Sequence, residues 1–299
     1  MTKLTLGPLL YGWPADKRRD FFAQIADDAP VDTVHLGEVV CAKRLPFIDP
    51  LLPDLFERLE RGGKEVVLST LALVMSEEDR EIGRAMCDAE SDGWLVEAND
   101  LSAVHQLTGR DFAVGPLINT YDEGTVQYLA TLGATRICLP PELSLSTITK
   151  IAGTQLAEIE LQIFGRLQLA ISARCPHARS YKLRKDGCQF ICGEDLDGLD
   201  VDTLDRQDFL AVNGLQTQSH AYAEYSDEVE ALLSAGVERY RLSPQDCDMI
   251  SVANAYRALL ESKIDPAECQ AQLKLAAPNP TFSNGFLHGV AGVEHAAAS

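Results

Sequence analysis

Four of the eight cysteines in this chain have the types and spacing of metal ligands. Cys175 stands in Arg174-Cys175-Pro176-His177, Cys188 and Cys192 are parted by three residues, and Cys41 follows the early segment His35-Leu36-Gly37-Glu38-Val39-Val40. Four thiolates are the ligand count of an iron–sulfur cluster, and zinc accepts the same four in a closed tetrahedron. Zinc ribbons bring two close pairs. Here only one pair is close, since twelve residues part Cys175 from Cys188 and the fourth ligand lies far upstream. Soft sulfur at this spacing favours iron–sulfur over zinc; the alternative is that all eight cysteines are small buried hydrophobes. The other four read as structural. Cys87 lies in a helical run, Cys138 in the apolar strand Thr135–Leu139, and Cys247 and Cys269 follow acidic residues in helix-like surroundings.

Charge and hydropathy narrow the setting of this chemistry. The N-terminus carries no long apolar segment, and nowhere do the eighteen or so apolar residues of a membrane span run together. The expectation is a cytoplasmic chain with no transmembrane segment, in which clustered cysteines serve as metal or redox ligands rather than disulfides. A formal charge of −19 repels phosphate backbones and argues against general nucleic-acid binding. One stretch runs against it: Arg174, Arg179, Lys182, Arg184 and Lys185, with His177, share their segment with a single acid, Asp186. Such a run is a solvated loop, an offset to an anionic thiolate site, a seat for an anionic small molecule, or a contact for an acidic partner.

The elements that must position these residues alternate between short aliphatic runs and amphipathic stretches, the pattern of βα units around a parallel sheet. Strands are expected over residues 3–10, 33–37, 65–71, 93–97, 112–115, 135–139, 160–164 and 239–242. Helices are expected over residues 17–26, 53–62, 77–87, 125–132, 145–152 and 226–234, with Gly62-Gly63, Gly133 and Gly236 as stops. Eight units predict an α/β fold, a (β/α)8 TIM-like barrel forming a single domain over residues 1–299; an open doubly wound sheet is the runner-up. Between strands 7 and 8 the period shortens to runs such as Leu167–Ser172 and Leu215–Gln218. These predict a β insertion over about residues 165–222 that carries three of the four cysteines. Loops after barrel strands form the active face, so Cys41, just past the second strand, is placed to share a site with the insertion. The tail from Pro278 to Gly289 is rich in proline and glycine and is expected to pack in order over the barrel.

Several single residues have two readings. His35 and Glu38 near the end of the second strand would lie in the barrel mouth, but a hydrogen-bonded core histidine is the commoner use. Asn99 and Asn119 follow strands, where asparagine is commonly a turn residue. Tyr11 and Trp13 would stack on a ring or, more commonly, pack in the core. The sequence holds no glycine-rich dinucleotide fingerprint, P-loop, HExxH helix or GxSxG elbow, and no catalytic residue can be named from it.

With these residues assembled, the chain resembles the collagenase-like peptidase family, many of whose members are not proteases. The resemblance spans essentially the whole chain: Gly7-Pro8-Leu9-Leu10-Tyr11-Gly12-Trp13, Leu36-Gly37-Glu38-Val39-Val40-Cys41-Ala42-Lys43-Arg44, the block from Cys175 to Cys192, and Asn284-Gly285-Phe286. It implies that Cys41, Cys175, Cys188 and Cys192 bind a 4Fe-4S cluster. It further implies a subunit of an anaerobic, oxygen-independent hydroxylation system in ubiquinone biosynthesis, acting as a heterodimer with the homologous iron–sulfur protein UbiU and with the lipid-binding accessory protein UbiT. A quinone precursor would be the substrate and prephenate the oxygen donor, with Arg174, Arg179 and Lys182 meeting its carboxylates. The alternatives are a non-catalytic iron–sulfur scaffold and an RNA hydroxylase of the same family. Peptidase activity is disfavoured, because the sequence shows no nucleophile and base constellation.

Overall fold

A computed structural model describes residues 2–89, 93–277 and 281–296. Aliphatic runs bounded by turn residues form β1 (Lys3–Leu6), β2 (Thr33–Gly37), β3 (Glu65–Ser69), β4 (Leu95–Ala98), β5 (Phe112–Val114), β6 (Ala134–Cys138) and β7 (Glu158–Ile171). The antiparallel strands β8 (Leu199–Asp202), β9 (Asp208–Asn213) and β10 (Gln216–Glu224) follow, then β11 (Arg239–Leu242) and the short β12 (Phe282–Ser283). Strands β1 to β7 pair in parallel in chain order. Strand β11 closes the ring, pairing in parallel with β7 on one side and with β1 on the other. The fold is therefore a closed eight-stranded (β/α)8 barrel, and the open doubly wound sheet is excluded.

Helices cover the outside and bury one stripe each against the strands, as in the run Leu55, Phe56 and Leu59 of the helix Leu52–Arg61. Their starts are fixed by side chains that satisfy the free N–H groups of the first turn: Ser76 with Asp79 in a reciprocal capping box, and Asp100, Asp122, Ser144, Asp248 and Asp265 elsewhere. The helix over 145–152 matches the expectation, and the one expected over 226–234 begins as a 3-10 turn, Ser226–Glu228, before running Val229–Ala235. After the helix Leu52–Arg61 the left-handed residue is Gly63 (φ 74°), not Gly62 (φ −72°).

Three strand expectations are corrected. Strand β1 ends at Leu6 instead of residue 10, because Leu10 leaves the barrel wall and packs with Val39, Val40, Cys175, Ala178 and Leu215 in a separate apolar cluster. Strand β3 ends at Ser69 instead of residue 71. Strand β7 does not stop at Phe164 but runs on to Ile171, so the expected first hairpin strand is its continuation. Gly165 permits this. Its φ of 94° suits glycine, and a methyl there would lie 2.8 Å from the Ser243 carbonyl. Beyond Gly165, β7 pairs antiparallel with β10, β10 with β9 and β9 with β8, which raises an antiparallel extension above the barrel rim.

The tail expectation falls partly on residues 278–280, which lie outside the described residues. From Thr281 on, β12 pairs with β10, and Asn284 donates to Glu228 Oε1 (2.7 Å) and to the Ala296 carbonyl (2.9 Å). The tail is thus held against β10 and the turn before the helix Val229–Ala235. No helix among the described residues is long and apolar enough to cross a membrane.

Candidate metal centre

Glu38 sets the turn that presents the first cysteine. Its buried carboxylate accepts the Val40 N–H at 2.8 Å and the Cys41 N–H at 3.0 Å, folding the chain back into the 3-10 turn Ala42–Arg44. Cys175 opens the short helix Pro176–Ser180, where its Sγ accepts the Ala178 N–H at 3.3 Å and stands 3.1 Å from the Gly214 carbonyl. Between Cys188 and Cys192 the chain passes through two consecutive left-handed residues, Gln189 (φ 52°) and Phe190 (φ 54°). Neither is a glycine, so this turn is held against local preference by its surroundings. All four cysteines line one pocket, with His177, Arg44 and Lys185 on its walls, and all four are free thiols. The apolar cluster around Leu10 and Leu215 forms the floor.

The electrostatics of this pocket are those of thiols removed from water. Burial pushes the Cys41 thiol up to about 11, with Arg44 partly offsetting it, and also pushes up the Cys175 thiol. A metal ion reverses that preference by binding sulfur as thiolate. The countercharge is close at hand. Arg44 is buried and donates from Nη1 to the Leu10 carbonyl (3.0 Å) and from Nη2 to Asn213 Oδ1 (2.7 Å). Against the burial that lowers it, the Glu38 carboxylate foremost holds its guanidinium charged. Asn213 in turn donates to the carbonyls of Cys192 and Asp195, both at 2.9 Å, and accepts the Gly12 N–H at 3.0 Å. One amide therefore fastens the cysteine loop, the β1 loop and Arg44 together.

His177 lines the pocket but its Nδ1–H is used on the Val212 carbonyl (3.1 Å), and its ring stacks on Tyr181. Nε2 lies 2.9 Å from Asp195 Oδ2 without hydrogen-bond alignment, and burial lowers its pKa. The basic stretch divides. Lys43 donates to the Lys185 carbonyl and to Asp186, tying the loop down, while Arg174, Arg179, Lys182 and Arg184 are exposed and make no ion pair among the described residues. Beyond Cys192 lies a second chamber of about 300 Å3, lined by Trp13, Arg18, Phe47 and Phe190 among others. Phe47 and Phe190 meet edge to face at 4.8 Å across its mouth.

The single residues resolve as follows. His35 is buried inside the barrel, its Nδ1 3.0 Å from Ser69 Oγ, and Glu38 is buried between Arg18 (3.7 Å) and Arg44 (3.6 Å). Asn99 is not a turn residue: it is buried and donates to Glu97 Oε1 and the Thr70 carbonyl, both at 3.2 Å. Asn119 is exposed. Tyr11 and Trp13 are core residues, stacked at 6.4 Å and anchored through Gln245 and the Leu196 carbonyl. Cys87 is buried in the helix Glu77–Asp88, Cys138 in β6 and Cys269 in the helix Pro266–Ala276. Cys247 lies in a loop, not a helix.

Sequence reasoning missed a charged cluster in the barrel interior. Arg241 bridges Glu97 and Glu160 (2.7 Å to the latter), with His35 beside them. Below it, Arg136 and Arg239 hold Glu65 and Glu158 in a second layer. Although burial pushes both upper carboxyls up, Arg241 holds Glu97 well below the usual carboxylate range and Glu160 below it. Single ligand atoms of His35, Glu97 and Glu160 lie within 4.8 Å of one another, as around a metal ion. Arg241 already fills the cation's place. The signal was present in the alternation Glu158/Glu160, Arg239/Arg241 and Thr33/His35, since parallel strands are normally apolar throughout.

Comparison with known proteins bears on the whole chain. Among solved structures, the chain is similar to the U32 peptidase Mk0906 at 14% identity, covering 82% of this chain and 93% of that one with a TM-score of 0.45. It is also similar to the DAHP synthase of Thermotoga maritima (11% identity, 94% and 71% covered, TM-score 0.38). A third is the D-psicose 3-epimerase of Clostridium cellulolyticum H10 (11%, 93% and 99%, 0.32). The model of peptidase family U32 matches residues 18–297, from the first helix to the tail and through the entire cysteine site. The chain belongs to peptidase family U32, in agreement with the resemblance drawn from its motifs.

Proposed function

We propose that this chain is the iron–sulfur subunit of an oxygen-independent hydroxylation system in ubiquinone biosynthesis, with a role like that of UbiV, and that Cys41, Cys175, Cys188 and Cys192 hold a 4Fe-4S cluster. The observation that carries this reading is the meeting of Cys41, from the loop after β2, with three cysteines more than 130 residues away on one pocket. The donor set fits the group: four free thiols, an apolar floor and a buried guanidinium beside the sulfurs. Once bound, such a cluster supplies one-electron chemistry.

The chain's own residues do the rest. Glu38 fixes Cys41, Asn213 fixes the backbone at Cys192, and Phe47 with Phe190 keeps water from that side. The chamber beyond Cys192 offers room for part of a ring-bearing quinone precursor. In this reading UbiU is the homologous partner, UbiT brings the lipid, and prephenate is the oxygen donor. Its carboxylates suit the exposed Arg174, Arg179 and Lys182 through charge-assisted hydrogen bonds. RNA as a substrate fits poorly with a charge of −19. Peptide cleavage fits poorly too, because Cys175 Sγ faces a carbonyl and His177 Nδ1 is engaged by another.

A second reading is a non-catalytic scaffold, favoured by the way the cysteine loop is tied to the β2 loop through Lys43 and Arg44. One measurement separates the two metals: iron, acid-labile sulfide and zinc on protein purified without oxygen. About four irons and four sulfides per chain sustain the cluster. Stoichiometric zinc without sulfide replaces it with a structural zinc site.

A further inference from the structure

Arg44 spends two of its three nitrogens on holding the site together, and the third is left over. Nη1 serves the Leu10 carbonyl and Nη2 serves Asn213, while Nε is buried without a hydrogen-bond partner among the described residues. That nitrogen lies close to Gly12. A methyl on Gly12 would lie 2.8 Å from Cys192 Sγ and 3.3 Å from Arg44 Nε, so the sulfur and this nitrogen both lie against the same residue. A neutral thiol is a weak acceptor for such an N–H, whereas a thiolate is a charged one. The charges around it also leave a surplus. Glu38 is one carboxylate facing two buried guanidiniums, Arg18 at 3.7 Å and Arg44 at 3.6 Å. These three groups together carry one positive charge more than negative.

We propose that Arg44 is a positioning residue for the metal centre, donating its Nε–H to the Cys192 sulfur when that sulfur is a thiolate ligand and stabilising the more electron-rich state of the bound cluster. The proposal rests on the cluster reading above. Its physical basis is that cluster potentials follow net charge and hydrogen bonds to the sulfurs. Adding an electron from an external reductant makes the cluster one unit more negative, and a buried cation with an N–H on sulfur favours that state. Loss of Arg44 acts twice, because it also leaves Glu38 with a single guanidinium partner.

The test uses Arg44→Gln and Arg44→Lys in the full chain, each prepared without oxygen beside the unaltered protein. Iron and sulfide are counted, and the reduction midpoint is read by dithionite titration followed by absorbance and electron paramagnetic resonance. Arg44→Gln is expected to keep its cluster and to lower the equilibrium constant for one-electron reduction at least tenfold, a fall of ~59 mV. Arg44→Lys keeps the charge but not the Nε–H, and its midpoint should lie between the two. Loaded variants with the midpoint of the unaltered protein overturn the proposal. If Arg44→Gln does not fold, Arg44→Lys decides alone, and a midpoint equal to the unaltered protein's again overturns it. An unaltered chain that takes up no iron or sulfide overturns the cluster reading, an outcome distinct from an unmoved potential.

Discussion

The barrel interior and the cysteine pocket each gather side chains from distant segments into a buried place, yet they end in opposite states. In the interior the buried carboxylates of Glu97 and Glu160 share the Arg241 guanidinium, and at the end of the barrel Arg136 and Arg239 hold the half-exposed Glu65 and Glu158. In the pocket, the thiols of Cys41 and Cys175, which burial pushes up, stand beside two guanidiniums that share a single carboxylate, Glu38. A cluster whose acids and bases pair with one another is held by the chain alone. One that gathers four soft donors beside a guanidinium is where a metal is sought.

The sharpest way to break this contrast is through the thiols themselves. Cys188→Ala should bring iron from about four per chain to nearly none, while Cys138→Ala, buried in β6 inside the barrel, should retain it. Equal iron in the two purified variants would sink the four-ligand assignment. Next in size is Arg241→Met, which strands two buried carboxylates and should cost about 3–5 kcal/mol in urea unfolding with no change in iron per folded chain.

That variant also carries a pH signature. Glu97 and Glu160 have folded pKa values below their ordinary value of 4.5, so their stabilisation is present above 4.5 and is lost as pH falls through the folded values. In Arg241→Met the burial that raises the carboxyls is opposed only by His35 and by the Ser69 and Asn99 hydrogen bonds to Glu97. The gap between variant and unaltered protein should therefore narrow on acidification below about 4.5. A gap that stays constant with pH would mean that the interior charges are not coupled in this way.

A smaller effect is expected from Gly12→Ala, whose methyl would press on Cys192 Sγ. It should destabilise by about 1–3 kcal/mol and weaken iron retention. Iron retention unchanged from the unaltered protein would show that the β1 loop does not define the site. Smallest of all, Arg179→Ala on the exposed basic stretch should alter stability by under about 0.5 kcal/mol and leave iron content unchanged, so a loss of metal there would extend the site beyond its pocket.

Much of the barrel was legible in local patterning. Strand β2, strand β11 and the helix Leu145–Ala152 coincide with their expected bounds, because each is a short periodic run closed by turn or capping residues. The continuation of β7 was not legible, since Gly165 inside a strand reads as a break until its φ of 94° and its approach to Ser243 are known. Asn99 was misread for a related reason: its position after a strand says turn, and only its partners Glu97 and Thr70 make it interior. Of the candidate metal centre, the cysteines stood out by type and spacing. Arg44 and Asn213 were not, because nothing local distinguishes a buried arginine from an exposed one.

By itself, the sequence determined the βα rhythm, the acidic balance, and which cysteines stand out by spacing, since all of these reside in composition and in contacts a few residues long. The tertiary structure alone decided that β11 closes on β1, that alternate residues of the strands place Arg241 among carboxylates, and that Cys41 shares a pocket with Cys175, Cys188 and Cys192. The physical reason is range. Periodicity is set within one element, whereas closure and convergence depend on strand register, and a shift of one residue would turn each interior charge to the opposite face.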